Sequence, residues 1–388
     1  MPLPESISPR IRALLARRPV FDAHVDSIGF AADLGHDLGQ KCPGQFDLVR
    51  GAEGGLGAWV VVCWPDPELY LPQSFERARA MLASAHALER RHRARFRLVG
   101  NGRELDQARA AGAVAGIAGI EGGHALEASL EKLEWFFERG LRVLTLVWNN
   151  HLAWVRSCQP GAGADVPAGL SPFGREVVRR MDALGIVVDL SHAGERSFFD
   201  ALETTTRPVF ASHSGCMALH EHPRNLTDAQ LRALAGNGGV VGIVFHPGFL
   251  DAGARAEEAR VRASPEYKAI GERDPVSRFL AQQRFMRLHA APLAAERLVE
   301  HVLHAVDVAG IEHVGLGSDY DGIERTPAGM EHAGIGYACL SEALAARGFA
   351  DEDILKVLGG NMERVFRAVT GPGSAAEGAA RREVDALV

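Results

Sequence analysis

The chain has 388 residues, 47% of them hydrophobic, enough to bury a large core in one big domain or two ordinary ones. A net charge of -7 and the absence of any basic run argue against a nucleic-acid partner. No segment approaches the roughly 20 apolar residues of a membrane span, and Met1 to Arg18 lacks the apolar heart of a signal peptide, so a cytoplasmic protein with no membrane partner is expected.

In chain order, Ser8 to Arg18 predicts a short amphipathic helix and Val20 to Asp26 a first strand. Leu56 to Trp64 is continuously apolar, as a strand buried on both faces should be, and Pro72 to Arg95 has helical periodicity. Val114 to Ile120 is the third strand, ending in Glu121-Gly122-Gly123-His124, with a helix from Leu126 to Arg139. Leu141 to Val147, Gly185 to Leu190 and Pro208 to Ala211 are the next strands, separated by helices at Phe173–Leu184 and Glu195–Leu202. Thr227 caps a helix to Gly236, Gly239 to Phe245 is the seventh strand, and a helix at Ala294–Ala309 leads into the eighth, His313 to Gly317.

Eight strands alternating with helices predict an α/β fold with a parallel sheet closed as a (β/α)8 barrel of TIM type, a single domain over residues 1–370. An open doubly wound sheet is the competing arrangement, but no Gly-x-Gly-x-x-Gly follows the first strand. The charged stretch 248–287 reads as an insertion that lids the site, and 371–388 as a loosely held tail.

The strand ends carry the chemistry. His24 and Asp26 alternate on one side of the first strand and offer a nitrogen and a carboxylate to one point. Glu121, His192, His213 and Asp319 each close a later strand, and in a barrel all these ends form one rim. Three imidazoles, two aspartates and a glutamate suit two divalent cations, with Glu121 as the anion between them. None of the four lysines, Lys41, Lys132, Lys268 and Lys356, falls at a strand end, so a lysine carbamate bridge is not expected. The five cysteines are scattered and never in Cys-x-x-Cys, which argues against a thiolate site and a disulfide framework.

These stretches resemble the membrane (renal) dipeptidase family of zinc-dependent dipeptidases. The matching motifs are Asp22-Ala23-His24-Val25-Asp26, Gly119-Ile120-Glu121-Gly122-Gly123-His124, Val188-Asp189-Leu190-Ser191-His192, Ser212-His213-Ser214, Arg224-Asn225-Leu226, Gly317-Ser318-Asp319-Tyr320-Asp321-Gly322 and Gly359-Gly360-Asn361. Any one alone is weak, but their order over residues 20–360 is specific. The resemblance implies an amidohydrolase-like barrel with two zinc ions per chain: one on His24 and Asp26, the other on His192 and His213, with Glu121 bridging both. It implies that Asp319 is the acid/base residue beside the first zinc, that Arg224 holds the carboxylate of a dipeptide substrate, and that the chain forms a homodimer.

Where mammalian members carry a substrate-contacting histidine after the fourth strand, this chain has Trp148, and His151 is the substitute expected from a few residues away. The expected reaction is hydrolysis of a dipeptide, its C-terminal residue L or D, by a hydroxide shared between the metals. Two alternatives remain at this point: a binuclear amidohydrolase acting on another amide or ester, and a non-catalytic metal-binding barrel.

Overall fold

The computed structural model describes residues 6–272 and 274–372. The apolar runs form nine parallel strands: β1 (Val20–Val25), β2 (Leu56–Cys63), β3 (Phe96–Leu98), β4 (Val114–Glu121), β5 (Leu141–Thr145), β6 (Val187–Asp189), β7 (Phe210–Ser214), β8 (Val240–Ile243) and β9 (Val314–Leu316). Eight of them follow one another in the order β1-β2-β4-β5-β6-β7-β8-β9. The ring closes at its C-terminal end, where Val25 bridges Tyr320 and the Asp26 and Asp319 amides donate to Tyr320 O and His24 O at 2.9 and 3.0 Å. The fold is therefore the (β/α)8 barrel the alternation predicts. β3 was not expected: its three residues pair with Val114–Gly116 of β4, whose later half pairs with β5 from Ala118 onward.

β1, β4 and β5 are buried at every position, which is why their sequences show no polar alternation. The lower barrel is filled by Phe21, Phe210, Val143 and Val240, and the helix Asn361–Thr370 plugs it with Met362 and Phe366. Higher up the packing is so close that a Cβ on Gly317 would stand 1.8 Å from the Ser212 carbonyl oxygen. Helix boundaries follow local chemistry: Ser171 caps Pro172–Leu184, which ends on left-handed Gly185, and Thr227 with Gln230 forms a full capping box.

The expected insertion is helical, with helices at Pro247–Leu250, Ala252–Ala263, Pro265–Lys268 and Pro275–His289. It is tied to the loop after β9 by the buried pair Arg325–Glu258 at 3.1 Å, by Arg262–Glu324 at 2.7 Å and by a Tyr267–Glu324 hydrogen bond. Past residue 372, the tail expected at 371–388 lies outside the described residues. No helix among the described residues is long and apolar enough to cross a membrane.

Candidate metal centre and active site

Strand direction brings the C-terminal ends of β1, β4, β6, β7 and β9 to one rim. Glu121 is the focus: its Oε1 lies 2.9 Å from His192 Nε2, 3.4 Å from His213 Nε2 and 3.5 Å from His24 Nε2. Asp26 Oδ2 lies 3.5 Å from His24 Nε2, and the His24 and His213 rings lie 3.7 Å apart between centroids, tilted by 35°. Two ligand groups emerge, His24 with Glu121 and His213, and His24 with Asp26 and Asp319. The structure thus gathers all six expected ligands.

The geometry fits divalent cations. His24 Nε2 and both oxygens of Asp26 are buried and have no hydrogen-bond partner among the described residues. Stranded buried acceptors are costly unless a cation or proton meets them. Although burial opposes it, the charges of Glu121, Asp26 and Asp319 push His24 up to about 10. Burial alone would raise Glu121, but His24, His192 and His213 hold it well below the usual carboxylate range. Burial, with Glu121 and Asp319 close by, pushes Asp26 well above that range, and burial and Glu121 push Asp319 up to about 7. Burial, with the positive charge of Arg224, lowers His192 to about 4 and drives His213 well below its ordinary value, leaving both neutral, the form that ligates metal.

A further layer of side chains orients these ligands, and sequence reasoning missed it. Asn149 Oδ1 accepts from His192 Nδ1 at 2.9 Å, turning the lone pair of Nε2 toward Glu121. Ser212 Oγ lies 2.9 Å from His213 Nδ1 and donates to Asp189 Oδ2 at 2.7 Å. Asp189 also accepts from Thr145 Oγ1 at 2.6 Å and from the amides of Ser212 and Ser191 at 2.8 and 3.1 Å. On the other side Asp22 accepts from the Ser318 amide at 2.9 Å and the Tyr337 hydroxyl at 2.7 Å, fixing the loop that bears Asp319.

The backbone is strained at the same places. His192, Asp319 and Asp321 have φ of 66°, 62° and 65°, a region that costs a non-glycine residue about 1–2 kcal/mol. Beside Glu121, Gly122 has φ 98°, and a Cβ there would stand 2.1 Å from the His124 ring.

A cavity of about 710 Å³ covers the cluster and is lined by Asp26, Glu121, Trp148, His192, His213, Arg224 and Asp319. Arg224 is 3% exposed; its Nη2 donates to His213 O at 3.0 Å, its buried Nε has no partner, and it has no acidic partner among the described residues. Trp148 lies against Trp64 at 4.9 Å and near His192 at 6.1 Å. His151 is not brought to the cavity; its Nδ1 accepts from the Ser157 amide at 3.2 Å. His246 does line it: Nδ1 accepts from the Gly248 amide at 3.0 Å, and burial first, with nearby arginines, lowers its pKa to about 3. The ring is therefore neutral and carries its proton on Nε2. Its place three residues after β8 gave no ligand-like spacing in the sequence.

The chain matches the family model described as membrane dipeptidase (peptidase family M19) over residues 8–377. An uncharacterized dipeptidase, C965.12 of Schizosaccharomyces pombe, is 31% identical over 257 residues, 66% of this chain and 53% of its own length. The chain spans about half the length of the curated relatives it matches. The probable dipeptidase PvdM from Pseudomonas aeruginosa shares the fold, with TM-score 0.81 at 22% identity over 95% of this chain and 100% of that one. A metallo peptidase from Rhodobacter sphaeroides, liganded with a phosphinate mimic of the dipeptide L-Ala-D-Ala, has TM-score 0.74 and 26% identity over 90% of this chain and 99% of its own.

Proposed function

The chain belongs to the membrane dipeptidase family, peptidase family M19, and from that premise we propose that it hydrolyses the peptide bond of dipeptides, using two zinc ions held at the rim around Glu121. The observation that carries this reading is one cavity holding both an unsatisfied nitrogen and carboxylate cluster and a buried guanidinium, Arg224, with no acidic partner among the described residues. His24 and Asp26 would hold one ion and His192 and His213 the other, with the Glu121 carboxylate shared by both sets. When bound, such ions lower the pKa of water toward 7 and polarise a carbonyl.

The chain's own residues do the rest. Arg224 grips the substrate's terminal carboxylate through two parallel hydrogen bonds and so fixes the distance to the scissile bond. That fixed distance admits a dipeptide and excludes longer chains. Asp319 takes a proton from the attacking water and gives it to the departing amine nitrogen. Asn149 keeps the His192 ring in place, and Ser212 with Asp189 does the same for His213. The insertion at 248–287 acts as a lid that keeps solvent from the reacting groups, a role supported by Val276, Arg278 and Phe279 lining the cavity. Substrates with a D-configured C-terminal residue belong to the same reading, supported by the relative liganded with the L-Ala-D-Ala mimic.

The test compares Ala-Ala, Ala-D-Ala, Ala-Ala-Ala and Ala-Ala amide with zinc-supplemented protein. Turnover of the free dipeptides alone, lost in Asp319→Asn, is expected. Equal turnover of the amide would remove Arg224 from its role, and no turnover of any dipeptide would overturn the reading.

A further inference from the structure

Resting on the dipeptidase reading, we propose that the cavity selects dipeptides whose N-terminal residue carries a large uncharged side chain, aromatic or aliphatic, and that Trp64 with Trp148 sets this preference. In the order β1-β2-β4-β5-β6-β7-β8-β9, the strand opposite β7 is β2. Arg224 lies on the β7 side, where it bonds the His213 carbonyl, and the Glu121 cluster joins side chains from β1, β4, β7 and the end of β6. A dipeptide with its carboxylate on Arg224 and its scissile carbonyl over the cluster therefore runs its N-terminal residue toward the end of β2.

The wall at that end is apolar. Trp64 follows β2 directly and packs on Trp148 at 4.9 Å, and Phe30, Leu69, Tyr70 and Met81 continue the surface. Leu69 is 48% exposed although it lines the cavity, so its apolar surface has nothing yet to cover it. The buried indole N–H of Trp64 has no partner among the described residues, a donor left for a ligand to satisfy. Of the charged groups that line this end, Arg77 grips Asp33 through two contacts of 2.6 Å, and Asp66, Asp274 and Arg278 line it as well. A charged side chain placed against the aromatic wall would lose hydration that the wall does not repay. The cavity of about 710 Å³ leaves room for a bulky residue beside the cluster.

The test measures kcat/KM for Phe-Ala, Leu-Ala, Ala-Ala, Asp-Ala and Lys-Ala with wild type, Trp64→Ala and Trp148→Ala. A Phe-Ala to Ala-Ala ratio of roughly 10–100 is expected, the range that a filled apolar pocket supplies. The charged substrates should fall below Ala-Ala, and either substitution should bring the ratio close to one. A wild-type ratio near one, a preference for a charged residue, or a ratio unchanged in both variants would overturn the proposal. Calorimetric binding of the uncleavable reduced isosteres of Phe-Ala and Ala-Ala to zinc-loaded wild type separates this from failure of hydrolysis itself. Tighter binding of the Phe isostere without turnover keeps the pocket and rejects the dipeptidase reading; equal binding, or binding of neither, rejects the pocket.

Discussion

Asp189→Asn changes one atom and should weaken metal binding without touching a ligand. The wild-type carboxylate accepts from the Ser212 hydroxyl at 2.7 Å and the Thr145 hydroxyl at 2.6 Å through the same oxygen, Oδ2. With its proton committed to Asp189, Ser212 Oγ presents a lone pair to His213 Nδ1 at 2.9 Å. His213 therefore carries its proton on Nδ1 and leaves Nε2 bare, 3.4 Å from Glu121 Oε1. In the asparagine variant the amide nitrogen takes the place of Oδ2 and becomes a donor. The hydroxyl of Ser212 is then free to turn toward His213 Nδ1, which favours the tautomer with its proton on Nε2, where a metal must bind. Loss of such an orienting partner costs roughly 10–100-fold in metal affinity, about 1.4–2.8 kcal/mol. Zinc affinity measured by competition with a chromogenic chelator, beside urea unfolding of the metal-free protein, separates this effect from general destabilisation. A zinc affinity within twofold of wild type would refute the tautomer argument.

Other outcomes follow from the same geometry. Arg224→Ala should raise KM for dipeptides roughly 10–100-fold, the worth of a charge-assisted pair of hydrogen bonds, while kcat falls far less; steady-state kinetics with an unchanged KM would take Arg224 out of the pocket. Arg325→Met removes the nearer guanidinium from Glu258, which is 2% exposed and keeps Arg262 at 3.7 Å, and should cost about 3 kcal/mol in urea unfolding, the low end for a broken buried pair, with much of the loss recovered in the double variant carrying Glu258→Leu. His301 accepts from the Cys216 amide at 2.9 Å and contacts Leu250 O at 3.0 Å, and burial holds its pKa down at about 4. Below pH 6.5 the unfolded chain binds a proton there that the folded chain refuses. Stability from this residue is thus complete above pH 6.5 and lost as pH falls toward 4, by about 3 kcal/mol at 1.36 kcal/mol per unit. Unfolding curves at pH 7 and 4.5 should draw closer together in His301→Gln; an unaltered gap would count against this assignment.

The barrel was legible because its strands are continuous apolar runs. Val114 to Glu121 and Leu56 to Cys63 are buried along nearly their whole length, so composition alone marks them. Phe96–Leu98 escaped notice because three residues have no period and its pairing with Val114–Gly116 is a tertiary fact. The rim residues were readable as chemistry, since histidines and carboxylates at successive strand ends are an unusual pattern. Their supports were not: Asn149 reaches His192 across 43 positions and Ser212 lies 23 from Asp189, separations that only the closed barrel brings together. His151 was expected at the cavity on proximity in sequence to Trp148, but its ring nitrogen is bonded to Ser157, and Asn149 lines the site instead. The helices after β9, Ala333–Ala346 and Asn361–Thr370, were not expected, although the second repeats apolar residues at Met362, Val365, Phe366 and Val369 with helical spacing; the first, apolar on most sides, has no such face to read.

The central claim is that the Glu121 cluster holds two divalent ions that serve dipeptide hydrolysis. It is tested most directly by determining metal content and dipeptide turnover on the same sample during stepwise zinc loading of metal-stripped protein. The account predicts binding that saturates at two ions per chain, with activity appearing as the sites fill and a single ion per chain in Glu121→Ala at most. Saturation with no turnover of any L-L or L-D dipeptide would contradict the function, and no zinc bound by the wild type would contradict the site itself.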